Sequence, residues 1–169
     1  MKKIILITGG QRSGKSRYAE RLALSLSTEP IYVATSRIWD EEHRQRIEYH
    51  KTTRTEAWIT IEDEKYLGNH DFSGKVVLID CITLWATNFF FDLQSDVELS
   101  LSSLKTEFDK LAKQNAHFLF VTNEIGLGEM SANEIQRRFT DLQGWFNQYL
   151  AERADEVVMM ICGIPLKIK

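Results

Sequence analysis

A mainly parallel α/β sheet flanked by helices on both faces is the fold class this chain predicts. Three observations carry that reading. The chain opens with an apolar β-rich run that feeds a glycine turn and then a helix-forming segment. Short runs of buried-strand composition then alternate with one-sided apolar stripes of helical period. The residues that close each strand-like run are polar, which is where ligands bind in such sheets.

Taken in order, Ile4 to Ile7 form the first strand and end in the turn TGGQRSGKS. Helix follows from Lys15 to about Ser27, with Tyr18, Leu22 and Leu26 at four-residue spacing and Ala19 beside them. Pro30 ends that region, and Ile31 to Ala34 make a short strand running into Thr35 and Ser36. Residues 37–50 are polar and rich in helix formers, a mostly exposed helix anchored by Ile38, Trp39 and Ile47. The piece KTTRTEAWITIED is extended and ends in acids, and Gly74 introduces KVVLID, a strand buried on both faces that closes on Asp80. CITLWATNFFF suits a strand or a buried helix; the spacing of Leu84, Asn88 and Phe91 favours helix.

Residues 96–114 place Val97, Leu101, Leu104, Phe108 and Leu111 on one helix face. His117 to Thr122 is a buried strand, followed by the polar loop NEIGLGEMS. Asn133 to about Glu152 repeats the stripe with Ile135, Phe139, Leu142, Phe146 and Leu150. Glu156 to Cys162 is a strand, Gly163 and Pro165 turn the chain, and Leu166 to Lys169 pair back as a terminal edge strand. No repeat or linker divides residues 1–169, so one domain is expected.

Gly9, four residues, then Gly14, Lys15 and Ser16 fit the G-x-x-x-x-G-K-[ST] pattern, and the fold class becomes a P-loop NTPase-like one. Glycines 9, 10 and 14 let successive N–H groups turn inward around an anion. The following helix aims its positive end at the same phosphates. Lys15 adds a mobile charge on the outer phosphates, and the Ser16 hydroxyl is a magnesium ligand. Asp80, closing an apolar strand, matches the second magnesium position, where the same side chain also suits a helix cap. Asn123 and Glu124 follow another strand and suit either a metal or an acceptor hydroxyl.

A net charge of −3 without a lysine or arginine block gives no electrostatic case for nucleic acid or anionic lipid. Cys81 and Cys162 form no CxxC pair and read as small core residues of a reducing compartment. The apolar run Ile4 to Ile7 is too short for a signal peptide or a membrane span, so a cytoplasmic, small-molecule enzyme is expected.

Read together, TGGQRSGKS, YVATS, RIEYHKTTR with its following Trp58 and Glu62, DCITLWATN, VTNEIGLG and GIPLKIK resemble the bifunctional adenosylcobinamide kinase and adenosylcobinamide-phosphate guanylyltransferase family, nearly end to end. The resemblance implies phosphorylation of the aminopropanol hydroxyl of adenosylcobinamide by ATP or GTP with Mg2+. Transfer of GMP from GTP to that phosphate follows, with release of pyrophosphate. The family's guanylylated histidine matches His50, and Tyr49 stands where some relatives carry a second histidine. Guanine-nucleotide contacts fall on Gly9, Gly10, Gln11, Arg12, Ser13, Gly14, Lys15 and Ser16, on Ala34, Thr35 and Ser36, on Lys51, Thr52, Thr53 and Arg54, and on Glu62 and Leu84. A homo-oligomer, a trimer, is implied as well.

The residues agree with this chemistry. A neutral imidazole is a good nucleophile near pH 7, Lys51 and Arg54 are placed to stabilise phosphate charge, and a carboxylate at Glu62 selects guanine through its exocyclic amine. Two other readings fit the phosphate loop alone: a single-activity small-molecule kinase, which would not need His50, and a GTP-binding regulatory module, which would bind without turnover.

Overall fold

The computed structural model describes residues 2–37 and 57–169. Among these, seven strands form one sheet: β1 (Lys3–Gly9), β2 (Ile31–Ala34), β3 (Ile59–Glu62), β4 (Val76–Asp80), β5 (His117–Val121), β6 (Glu156–Ile161) and β7 (Ile164–Lys167). Their spatial order is β3-β2-β4-β5-β1-β6-β7, parallel throughout except for the antiparallel β6–β7 pair. The helices are α1 (Lys15–Leu26), α2 (Ile82–Asp92), α3 (Val97–Ala112) and α4 (Glu134–Arg153).

Strand alternation divides the core in two. Ile4 and Leu6 of β1, Val77 and Ile79 of β4 and Phe118 and Phe120 of β5 face α2, α3 and α4, where Trp85, Phe108 and Phe146 complete the packing. Ile5 and Ile7, Leu78, and Leu119 and Val121 face the other way, onto Ala19 and Ala23 of α1. The small alanines correct the expected α1 stripe: Tyr18 and Leu22 pack at its edge and Leu26 is exposed. On α4, Ile135 is likewise exposed, while Leu142, Phe146 and Leu150 are buried as expected.

The CITLWATN segment is the helix α2, and its Trp85 indole donates to the Lys65 carbonyl at 2.8 Å. α3 begins on Asp96, whose carboxylate accepts from Leu99 N–H, and α4 on Asn133, which accepts from Gln136 N–H.

The C-terminal turn differs from expectation. Cys162 and Gly163, at φ 52° and 80°, form a two-residue hairpin turn, and Pro165 lies inside β7 opposite Met160. Proline is tolerated there because β7 is an edge strand. Cys162 is exposed in that turn and is not a core residue. No helix among the described residues is long and apolar enough to cross a membrane.

Candidate active site at the carboxyl edge of the sheet

Strand register gathers most of the predicted positions on one edge. Glu62 pairs with Ala34, Ala34 with Asp80, Asp80 with Val121 and Val121 with Ile7, so one row runs across five parallel strands. At an interstrand spacing of about 4.8 Å, Asp80 lies ~10 Å and Glu62 ~19 Å from β1 along that row. The phosphate loop begins two residues beyond Ile7. The row therefore sets a phosphate end at β1 and a far end at β3.

The loop's shape depends on two of its three glycines. Gly9 has φ 147°, and a Cβ there would meet the Met160 carbonyl oxygen at 2.5 Å. Gly14, at φ 95°, is the N-cap of α1, and its Cβ would stand 3.3 Å from Gly163 Cα. Gly10 corrects the expectation: its φ is not positive and its Cβ would meet nothing within 4 Å. Arg12 takes the remaining left-handed position at φ 57°. The loop closes on itself through Ser13 N–H to the Gly10 carbonyl at 3.3 Å.

Lys15 is only 7 % exposed, and its Nζ donates to the same Gly10 carbonyl at 2.5 Å. The ammonium is thus seated rather than freely mobile. Burial holds its pKa below the ordinary 10.5, against the opposing influence of Cys81 and Asp80. That influence of Asp80 places the β4 carboxylate in the field of the phosphate-loop lysine. Asp80 does not cap α2, whose N-cap is Cys81. The Cys81 thiol is pushed up to about 12 by burial and then by Asp80.

Thr35 ties the ends of β2 and β4 together. Its hydroxyl donates to the Cys81 carbonyl at 2.8 Å and accepts from Cys81 N–H at 3.0 Å. Asn88, fully buried on α2, donates to the carbonyls of Thr35 and Glu64 at 2.7 and 3.0 Å, which fixes the Ala34–Ser36 stretch from below. Leu84 lies on the same helix, half-buried. Beyond Ser36, Arg37 makes a two-pronged ion pair with Asp92 at 2.6 and 2.7 Å and a further one with Glu64, while Lys65 reaches Asp92 at 2.9 Å.

On the β5 side, buried Thr122 donates to Asn147 Oδ1 at 2.7 Å, and Gln143 Nε2 donates to both. Asn147 Nδ2 holds the Asn123 carbonyl at 3.2 Å, Thr83 accepts from Asn123 N–H, and Glu124 N–H donates to the Gly9 carbonyl at 3.0 Å. The strand end bearing Asn123 and Glu124 is thereby locked to the phosphate loop.

Of the expected residues, Gly9 to Ser16, Ala34 to Ser36, Asp80 and Glu62 share this edge, with Leu84 just below it. His50, Lys51, Thr52, Thr53 and Arg54 lie outside the described residues, as does most of the expected helix at 37–50. Sequence reasoning missed Asn88, Gln143 and Asn147 as supports. The available signal was a polar residue beside the apolar stripe: Gln143 next to Leu142, Asn147 next to Phe146.

The donor set fits magnesium in kind. Asp80 and Ser16 supply hard oxygen, and no group of three or more His, Cys, Asp or Glu side chains that would favour a transition metal gathers among the described residues. It fits an anion too, since Ser13 Oγ is buried in the loop without a partner.

The chain is similar to known proteins along nearly its whole length. The family model for cobinamide kinase / cobinamide phosphate guanyltransferase matches residues 5–168. The bifunctional adenosylcobalamin biosynthesis protein CobU of Escherichia coli is 38 % identical, over 98 % of this chain and 99 % of that protein. The bifunctional adenosylcobalamin biosynthesis protein CobP of Pseudomonas aeruginosa is 36 % identical, over 97 % and 96 %. Among solved structures, the flagellar accessory protein FlaH of Methanocaldococcus jannaschii is similar at 15 % identity and a TM-score of 0.48, over 99 % of this chain and 78 % of that one.

Proposed function

The chain belongs to the cobinamide kinase / cobinamide phosphate guanyltransferase family, and from that premise we propose that it phosphorylates adenosylcobinamide and then guanylylates the product. The observation that carries the reading is the phosphate loop at the carboxyl edge of the sheet, two residues beyond the row that holds Asp80 and Glu62, within a chain matched by the family along residues 5–168.

In the kinase step the acceptor hydroxyl oxygen attacks the terminal phosphorus of the nucleotide, the bond to the bridging oxygen breaks, and the hydroxyl proton is released. Backbone N–H groups of the phosphate loop and the Lys15 ammonium hold the phosphates and take up charge on the departing diphosphate. Ser16 and Asp80 are the residues that would hold Mg2+, which when bound neutralises the bridging and terminal phosphate oxygens.

In the second step an imidazole nitrogen of His50 attacks the α-phosphorus of GTP and pyrophosphate leaves. An oxygen of the corrinoid phosphate then attacks the same phosphorus and restores the histidine. Lys51, Thr52, Thr53 and Arg54 belong to this nucleotide site in the proposal, with Ala34, Thr35, Ser36 and Leu84 lining it and Glu62 reading guanine. One domain over 1–169 and assembly as a homotrimer are parts of the same reading.

The test is incubation with Mg2+ and GTP labelled at the α-phosphate, denaturation, and assay of covalent label beside His50→Ala. Label that survives alkali, is lost in acid and vanishes in the variant is the expected result. Absence of label while GTP demonstrably binds would remove the histidine intermediate and leave a single-activity kinase as the better account.

A further inference from the structure

The acceptor of the proposed reaction is a large corrinoid, and the inference that follows rests on that reading. We propose that the loop 123–133, between β5 and α4, seats the corrin ring of the acceptor, with Leu127 and Met130 packing on its apolar face.

Position argues first. The loop springs from the carboxyl end of β5, and its Glu124 N–H is bonded to the Gly9 carbonyl at 3.0 Å, at the start of the phosphate loop. An acceptor must stand beyond the terminal phosphate to attack in line, and a loop tied to the start of the phosphate loop is a candidate wall for it.

Order argues second. Asn147 and Thr83 fix Asn123, and the Arg137 guanidinium holds the carbonyls of Ser131 and Ala132 at 2.9 and 2.8 Å. Asn133 then caps α4. Both ends of the loop are pinned, yet between them Leu127 is 74 % and Met130 86 % exposed, with Ile125 also exposed. Large apolar side chains displayed on a pinned loop beside a reaction site present a binding surface. Methionine adds a side chain that adapts to an irregular face.

Charge argues third. Residues 123–133 contain Glu124 and Glu129 and no lysine or arginine, and Arg137, the cation held against them, is engaged by the Ser131 and Ala132 carbonyls. A cobalt(III) corrinoid with an alkyl axial ligand is a monocation rimmed by primary amides. Its charge and its N–H donors complement the two loop carboxylates.

Leu127→Ser/Met130→Ser tests the assignment, with three readouts on the full-length protein: KM for cobinamide in the kinase reaction, KM for GTP, and mass in solution. Cobinamide KM is expected to rise about tenfold or more, because two apolar contacts are lost, while GTP KM and mass stay unchanged. Unchanged cobinamide KM in a variant that still turns over overturns the assignment alone. A drop in subunit number overturns it in favour of a contact between copies of this chain. Wild-type protein that binds GTP but neither binds nor phosphorylates cobinamide overturns the functional reading and this assignment with it.

Discussion

The N–H of Gly163 donates to the carbonyl oxygen of Ser13 at 3.0 Å, so the C-terminal hairpin is tied to the phosphate loop from behind. The contact makes the GIPLKIK tail part of the nucleotide site although it lies about 150 residues from Gly9 in sequence. Gly163 holds φ 80° with open space around its missing Cβ, so only backbone strain opposes a side chain there. Gly163→Val should cost about 1–2 kcal/mol and weaken GTP binding, while Gly163→Asn, which accepts the left-handed region, should stay within a few tenths. Urea unfolding and GTP titration of the two variants check this. Equal effects of Val and Asn would mean that the turn conformation is not what matters.

The two leading glycines of the loop should behave differently. Gly9→Ala drives a Cβ into the Met160 carbonyl of the neighbouring strand, a backbone atom that cannot step aside, at a φ that side chains rarely adopt. It is expected to destabilise by roughly 2–4 kcal/mol and to abolish nucleotide binding. Gly10→Ala meets nothing, and its stability should change by about 0.5 kcal/mol or less. Thermal unfolding of both variants decides it; comparable losses would refute the distinction.

Much of this was legible in the sequence, and the misses share a cause. The phosphate loop, the strand ends at Ala34 and Asp80 and the helix at 82–92 follow from local pattern, because glycine spacing and apolar periodicity act within one element. Supports that join distant elements were not legible. Thr122 meets Gln143 and Asn147 only once α4 has packed on the sheet, and Arg37 meets Asp92 across 55 residues. Pro165 misled because proline marks turns, yet an edge strand tolerates its missing N–H. Leu26 misled because helical spacing identifies a stripe but not its centre, which Ala19 and Ala23 occupy so that α1 can approach the sheet closely.

The Arg37–Asp92–Lys65 cluster sets an acid limit. Pairing with Arg37 first, then Lys65, holds the Asp92 carboxyl well below its ordinary 3.8. A depressed carboxylate contributes stability that is fully present above the unfolded pKa and is lost as pH falls toward the folded value. Asp92 is partly exposed, so solvent screening limits that contribution to about 1 kcal/mol. Asp92→Asn should therefore lower unfolding free energy by about that amount between pH 8 and 5, with the gap to wild type closing below pH ~3.8. Urea unfolding across that range checks it; a gap that persists undiminished at pH 3 would assign the loss to packing instead.

The two thiols should separate cleanly. Cys162 is exposed in the hairpin turn, whereas the Cys81 thiol is pushed up to about 12 and stays protonated at neutral pH. Since the thiolate is the reactive form, a disulfide reagent at pH 8 should titrate one thiol quickly in the native protein and the second only on unfolding. Cys162→Ser should remove the fast phase, and a fast phase surviving that substitution would contradict the raised thiol pKa of the half-buried Cys81.

Lys15 sets an alkaline limit of the opposite kind. Burial lowers its pKa, so the ammonium loses its proton at lower pH than a lysine in solvent, while at neutral pH it remains charged. Bound phosphates favour the charged form, so by linkage GTP binding takes up a proton once the free protein has begun to lose it, and affinity falls as pH rises. The decline should begin below pH 10.5, the ordinary lysine value. Lys15→Arg keeps the charge at every accessible pH and should bind GTP with a flatter profile, even if its bulkier head lowers the rate of transfer. Fluorescence titration of GTP binding from pH 7 to 10 compares the two. Parallel profiles would place the titrating group elsewhere and leave Lys15 as a charge whose seat on the Gly10 carbonyl has no bearing on affinity.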